Sequence, residues 1–224
     1  VEEAQATLLE LGVPDLLPNS SLPWGWKVIV EPVGVAADAE YGRFNLGGEP
    51  QVITFATPPA WVVSKPNIDF NGAAGTVQAN DYGKGDSATF FVNTKFGRKL
   101  QDLNKKDIQQ EIYGALTTKG KNFIDAVKVT KVYDGPPGYR FAEYDYEIES
   151  GAGFSLARTG LASLTQTGEA GNLQVFWTGT LQTRWKNMRN DLQTMVQSFR
   201  VGNVPKSIKF DTRKRSANVT EEVL

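Results

Sequence analysis

Four carboxylates at alternate positions, Glu143, Asp145, Glu147 and Glu149, come nearest in type and spacing to doing chemistry. On a strand, alternate side chains leave the same face about 6.6 to 7 Å apart. All four would then project together, opposite Ala142, Tyr144, Tyr146 and Ile148. Oxygen ligands of this kind suit calcium or manganese, and two carboxylates about 5 to 9.5 Å apart can serve a glycosidase as acid and as nucleophile or base. Against both readings stands the origin of the four groups on one strand. A cation site draws ligands from several loops, and acid catalysis needs one carboxyl desolvated relative to its partner. The favoured expectation is a solvated strand face, paired with Arg158 or with lysines of a neighbouring strand.

The remaining chemistry is narrowed by what is missing. The 224 residues include no histidine and no cysteine, which removes the imidazole base, the thiolate nucleophile and the imidazole or thiolate zinc site. Gly83-Lys84-Gly85 lacks the full phosphate-loop pattern, and Gly151-Ala152-Gly153 opens no helix, so both read as turns. No catalytic residue and no cofactor is expected. The formal charge of −1 provides no global field for nucleic acid, so a basic docking surface must be local. Two clusters are candidates: Lys95, Arg98, Lys99, Lys105 and Lys106, and further on Lys209, Arg213, Lys214 and Arg215.

The elements that must position these groups follow from periodicity. Val1–Leu11 reads as a short helix halted by Pro14 and Pro18. Trp24, Trp26, Val28 and Val30 alternate with Gly25, Lys27, Ile29 and Glu31, the period of a strand with one apolar face. Pro32–Pro50 reads as a long surface loop before a strand at Gln51–Ala56. Gly75–Asn80 and Ser87–Thr94 flank a glycine-containing turn and predict a hairpin. A helix follows, with Asn104 as N-cap, Asp107 in its first turn, an Ile108, Ile112 and Leu116 stripe, and Gly120 at its end. Strands are predicted at Asp125–Tyr133, Tyr139–Glu149, Phe154–Thr165 and Leu173–Thr180, antiparallel because their connections are short. A last helix over Arg184–Phe199 carries Trp185, Met188, Leu192, Met195, Val196 and Phe199 on its buried face, with Trp185 expected to anchor it. No run of about 18 apolar residues suggests a membrane span.

Several of these segments, taken in order, are familiar. Ile53-Thr54-Phe55-Ala56-Thr57-Pro58-Pro59-Ala60-Trp61 comes first, then Asp86–Val92, Gly138-Tyr139-Arg140-Phe141 and Tyr144-Asp145-Tyr146-Glu147. Asn172-Leu173-Gln174-Val175-Phe176, Arg184-Trp185 and the closing Ser198-Phe199-Arg200-Val201 complete the series. The series resembles the PsbP family, extrinsic proteins of the photosynthetic membrane, over about residues 52 to 201. The resemblance implies an α+β fold, a central antiparallel sheet of about six strands sandwiched by helices. It implies a non-catalytic accessory subunit or assembly factor in the chloroplast thylakoid lumen, peripheral to the membrane and not inserted in it. The expected partners are photosystem subunits on the lumenal face, first those of photosystem II on its oxygen-evolving side. Photosystem I and the chloroplast NDH-like complex are alternatives, and a carboxylate-based hydrolase or a calcium or manganese carrier is the alternative class.

Some family members are proposed to hold manganese or zinc through histidine, and the absence of histidine here leaves that route without its residues. The Pro32–Pro50 loop and the basic tail look like additions, as in a divergent PsbP-like or PsbP-domain protein. The expected organisation is a leader at 1–23, a domain at 24–201 and a flexible tail at 202–224. A first residue of Val1 rather than Met fits a chain whose targeting segment has been removed.

Overall fold

A computed structural model describes residues 1–19, 21–33, 51–64, 77–94, 96–117, 123–150, 152–167, 171–205 and 207–208. Seven antiparallel strands build the main sheet: β3 (Val62–Ser64), β4 (Gln78–Asp81), β5 (Asp86–Asn93), β6 (Phe123–Asp134), β7 (Tyr139–Glu149), β8 (Ser155–Thr167) and β9 (Asn172–Leu181). Their order is β3-β4-β5-β9-β8-β7-β6. β1 (Lys27–Val33), β2 (Gln51–Thr57) and β10 (Arg200–Asn203) form a second sheet of three strands with β2 in the middle. The helices are α1 (Glu2–Glu10), α2 (Lys105–Thr117) and α3 (Trp185–Ser198). The α+β class, the antiparallel central sheet and the helices on its faces agree with expectation. The second sheet is new, because its strands come from distant parts of the chain.

Alternation along the central strands divides the main sheet into two apolar faces. Val129, Ala142, Tyr144, Ala162, Leu164 and Val175 pack under Ile108, Ile112 and Leu116 of α2. The spacing of four along α2 places that stripe on one side of the helix. The helix starts where its cap chemistry dictates. Lys106 N and Asp107 N donate to Asn104 Oδ1 at 2.8 and 3.1 Å, and Asn104 N donates back to Asp107 Oδ2 at 2.9 Å. Gly120, the expected end of this helix, lies outside the described residues.

On the opposite face, Phe90, Phe141, Leu161 and Phe176 meet Leu192, Met195, Val196 and Phe199 of α3, together with Ile53 and Phe55 of β2. The other side of β2 carries Val52 into a small third cluster with Leu8 of α1 and Val204. β2 is therefore buried along its whole length.

Three expectations are corrected. The strand expected at Trp24 begins at Lys27, and Trp24 stands 99% exposed in a turn that Trp26 N closes onto Pro23 O at 3.2 Å. Of the two tryptophans only Trp26 packs against the core, so their alternation with glycine and lysine imitates a strand period. The same strand runs through Pro32 to Val33 rather than stopping before Pro32. It is the edge of its sheet, where a residue lacking N–H is tolerated. Trp185, the expected anchor of α3, packs against the core on the α3 side but is only half-buried at its margin, with the Arg189 guanidinium 6.0 Å from its ring centroid. Of the Pro32–Pro50 loop, positions 34 to 50 lie outside the described residues, as do Gly75 and Thr76 of the predicted hairpin.

Candidate functional site

β7 does present Glu143, Asp145, Glu147 and Glu149 on one face, since Ala142, Tyr144, Tyr146 and Ile148 all face α2. The carboxylates are engaged one at a time. Arg189 of α3 reaches Glu143 Oε2 at 3.4 Å, Thr159 Oγ1 donates to Asp145 Oδ1 at 2.8 Å, and Ser155 Oγ donates to Glu147 Oε2 at 2.9 Å. Register sets Lys128 of β6 opposite Asp145 and Lys131 opposite Glu143, and brings Glu149 to Phe123 and Ser155 at the strand end. Among the described residues, no group of three or more acidic side chains is placed to hold a metal ion.

The lysines stand opposite two of the acids in register only, and the Arg158 pairing is corrected. Arg158 lies opposite Tyr146 in the β7–β8 register, so it leaves the sheet on the α2 side. There its Cζ stands 5.7 Å from the Tyr146 ring centroid, and Nη2 donates to the carbonyls of Gly85 and Gly179.

That α2 side of β7 is tightly built. Tyr144 Oη donates to Thr178 O at 2.7 Å, and its phenol, fully buried, is pushed well above its ordinary pKa by desolvation. Burial also raises the Tyr146 phenol, against the pull of Arg158. The rings fit because glycines face them. A β-carbon on Gly160 would stand 2.0 Å from Thr178 O and 2.8 Å from Tyr144 Oη, and one on Gly179 would stand 2.0 Å from Tyr146 Oη.

Four of the basic docking candidates, Arg98, Lys99, Lys105 and Lys106, are described. Arg98 Nη1 donates to Asp107 Oδ1 at 2.9 Å, which lowers the Asp107 pKa and raises that of Arg98. Lys105 Nζ donates to Thr130 O at 2.9 Å. Lys99 and Lys106 are exposed. Lys95, Lys209, Arg213, Lys214 and Arg215 lie outside the described residues.

What the fold does bring together is the set of motifs that carried the family resemblance. Phe55 of β2 lies 4.8 Å from Phe176 of β9, and Phe176 stacks on Phe199 at 5.0 Å with 11° between the rings. Tyr139 meets Phe199 edge-on at 6.4 Å, and its hydroxyl accepts from Val201 N at 3.2 Å. Ser198 Oγ accepts from Ala56 N at 2.8 Å and donates to Met195 O at 2.7 Å, tying the end of α3 to β2. Trp61 is buried in the same cluster. At the other end of α3, Arg184 grips the buried Asp86 with Nη2 at 2.8 Å and Nε at 3.3 Å, while Thr180 Oγ1 donates to the same carboxylate at 2.6 Å. Sequence reasoning missed this clasp because Asp86 read as a turn residue.

The molecule is thus an α+β domain with an antiparallel sheet between helices. No protein-family model matches it, and no curated protein matches it. Among solved structures it is similar to cyanobacterial PsbP (CyanoP) from Synechocystis sp. PCC 6803, at 17% identity and a TM-score of 0.47, over 82% of this chain and 99% of that one. It is also similar to LpqN, described as involved in cell envelope biogenesis of Mycobacterium tuberculosis, at 8% identity and a TM-score of 0.42, over 80% and 92% of the two chains. The Saccharomyces cerevisiae Ran-binding protein Mog1p is similar at 13% identity and a TM-score of 0.41, over 78% and 96%. Their descriptions differ from one another, and these likenesses assign the chain to no family.

Proposed function

We propose that the chain is a non-catalytic accessory subunit or assembly factor that docks on the lumenal side of a photosynthetic membrane complex, with photosystem II as the partner. One observation carries the reading. Phe55, Trp61, Phe176, Ser198 and Phe199, which stand in the family-like motifs, close a single core although Phe55 and Phe199 are 144 positions apart. The separate engagement of Glu143, Asp145 and Glu147 supports a non-catalytic role, because paired acids that work together need unlike environments around a common substrate.

The test is fractionation of the native cells followed by native electrophoresis of solubilised thylakoids. The protein should be recovered from the lumenal fraction and comigrate with photosystem II. Comigration with photosystem I or with the NDH-like complex would reassign the partner, and recovery outside the thylakoid would end the reading.

A further inference from the structure

Antiparallel register carries the start of β3, the β4–β5 turn, the end of β9 and the start of β8 to one end of the main sheet. Five of the eight large hydrophobic side chains that are exposed among the described residues sit on this rim: Trp24, Val62, Tyr82, Phe154 and Leu156. Val62 opens β3, Tyr82 tips the β4–β5 turn, and Phe154 and Leu156 lie at the entrance to β8. The Trp24 turn reaches the rim through its neighbour, since a β-carbon on Gly25 would stand 3.7 Å from Pro59 Cγ in the turn leading into β3.

We propose that this rim docks on the headgroup layer of a lipid bilayer without crossing it. Three features select that partner. The tips are spread from β3 to β8, four strand spacings or about 19 Å, on separate loops. A folded protein would have to offer matching pockets at each tip, whereas a bilayer deforms around them. The chemistry is interfacial: Trp and Tyr rings, apolar in the body and polar at one atom, concentrate at the headgroup level.

Charge at the rim is paired on the β4–β5 side and acidic at the β7–β8 hairpin, where exposed Glu147 and Glu149 stand opposite Ala157 and Ser155, beside Leu156 and Phe154. Lys84 pairs with Asp81 at 3.2 Å, Arg184 pairs with Asp86, and Arg158 folds back onto Gly85 and Gly179. Such a surface selects neutral or zwitterionic headgroups rather than anionic ones. No helix among the described residues is long and apolar enough to cross a membrane, consistent with a surface contact. The inference does not depend on the photosystem reading, because vesicles contain no protein complex.

The experiment is cosedimentation of the purified full chain with large unilamellar vesicles of phosphatidylcholine at low and high salt, with quenching of tryptophan fluorescence by brominated acyl chains. The chain should partition onto these vesicles at both salt concentrations with quenching. Trp24→Ala should weaken partition about tenfold and the Trp24→Ala, Phe154→Ser double variant about a hundredfold. Both side chains are exposed, so melting temperature should not change. Leu9→Ser, an exposed site on α1, should partition as the parent chain does. Absence of the parent chain from the pellet would overturn the proposal, as would equal partition of the double variant. Binding only to anionic vesicles with loss in salt would also overturn it. So would a rim variant that loses comigration with a membrane complex while the parent chain ignores vesicles, which would make the rim a protein contact.

Discussion

The two faces of β7 are built on opposite terms. Toward α2, Tyr144 and Tyr146 lie over Gly160 and Gly179 with no room for one further carbon. On the other face, Glu143, Asp145 and Glu147 each take a separate polar partner, and Glu147 and Glu149 are exposed. One strand therefore carries a face specified by packing, where substitution is costly, beside a face specified by charge, where it is cheap. The difference teaches that a row of acids can mark the solvent side of a strand whose information lies on its back.

The contrast breaks most directly at Gly160. Gly160→Val would drive a branched side chain into Thr178 O and the Tyr144 ring, and the variant should fail to fold. Gly160→Ala, read by urea unfolding, should lose at least about 3 kcal/mol through overpacking. A stable Gly160→Ala protein would mean that the tyrosine face is looser than described.

A second comparison sharpens the first on the α3 side. Phe199 is fully buried and stacked on Phe176, whereas Trp185 is half-buried at the helix start. Phe199→Ala should cost about 3 to 5 kcal/mol, and Trp185→Ala about 1 to 2 kcal/mol, the share of an aromatic side chain's transfer energy that half burial retains. Equal losses in thermal or urea unfolding would return Trp185 to the anchoring role that the sequence pattern suggested.

Alkaline titration probes the tyrosine face without mutation. Burial raises the folded-state pKa of Tyr144 and Tyr146 above the ordinary value, so their contribution to stability is fully present below the unfolded value of about 10. It is lost as pH rises from there through the folded values, at about 1.4 kcal/mol per pH unit for each ring. Absorbance at alkaline pH should show these two phenols ionising only with unfolding. Their ionisation in the folded protein would contradict the packing.

The smallest effect belongs to the acids. Glu147→Gln should change stability by no more than about 0.5 kcal/mol, and calorimetry with calcium or manganese should give the same weak heats for both proteins. Micromolar binding that disappears in the variant would give the carboxylate face the function that its separate hydrogen bonds argue against.

Much of this was legible in the sequence for local reasons. Alternation fixed the two faces of β7, and Asn104 with Asp107 wrote the start of α2 as a reciprocal cap. The four-residue spacing of Ile108, Ile112 and Leu116 named its buried side. What escaped depends on distant partners or very short runs. β3 and β10 have three and four residues, too few for a period to declare itself. The three-stranded sheet joins residues near 30, 54 and 201, which no local pattern connects. For the site, strand parity gave the shared direction of the acids, but the donors Arg189, Thr159 and Ser155 come from α3 and β8. The aromatic rim was hidden for the same reason. Trp24 and Phe154 read as strand residues and Tyr82 as part of a turn, and only the register of the sheet gathers them at one end.

The most direct test of the accessory-subunit account is cross-linking of intact thylakoid membranes with a lysine-reactive reagent, followed by mass spectrometry of peptides containing the exposed Lys99 and Lys106. The account predicts cross-links from this chain to lumenal subunits of photosystem II, lost when the membranes are stripped of peripheral proteins and regained when the purified chain is added back. Cross-links confined to soluble enzymes, or none to any membrane complex after the chain is added back, would contradict it.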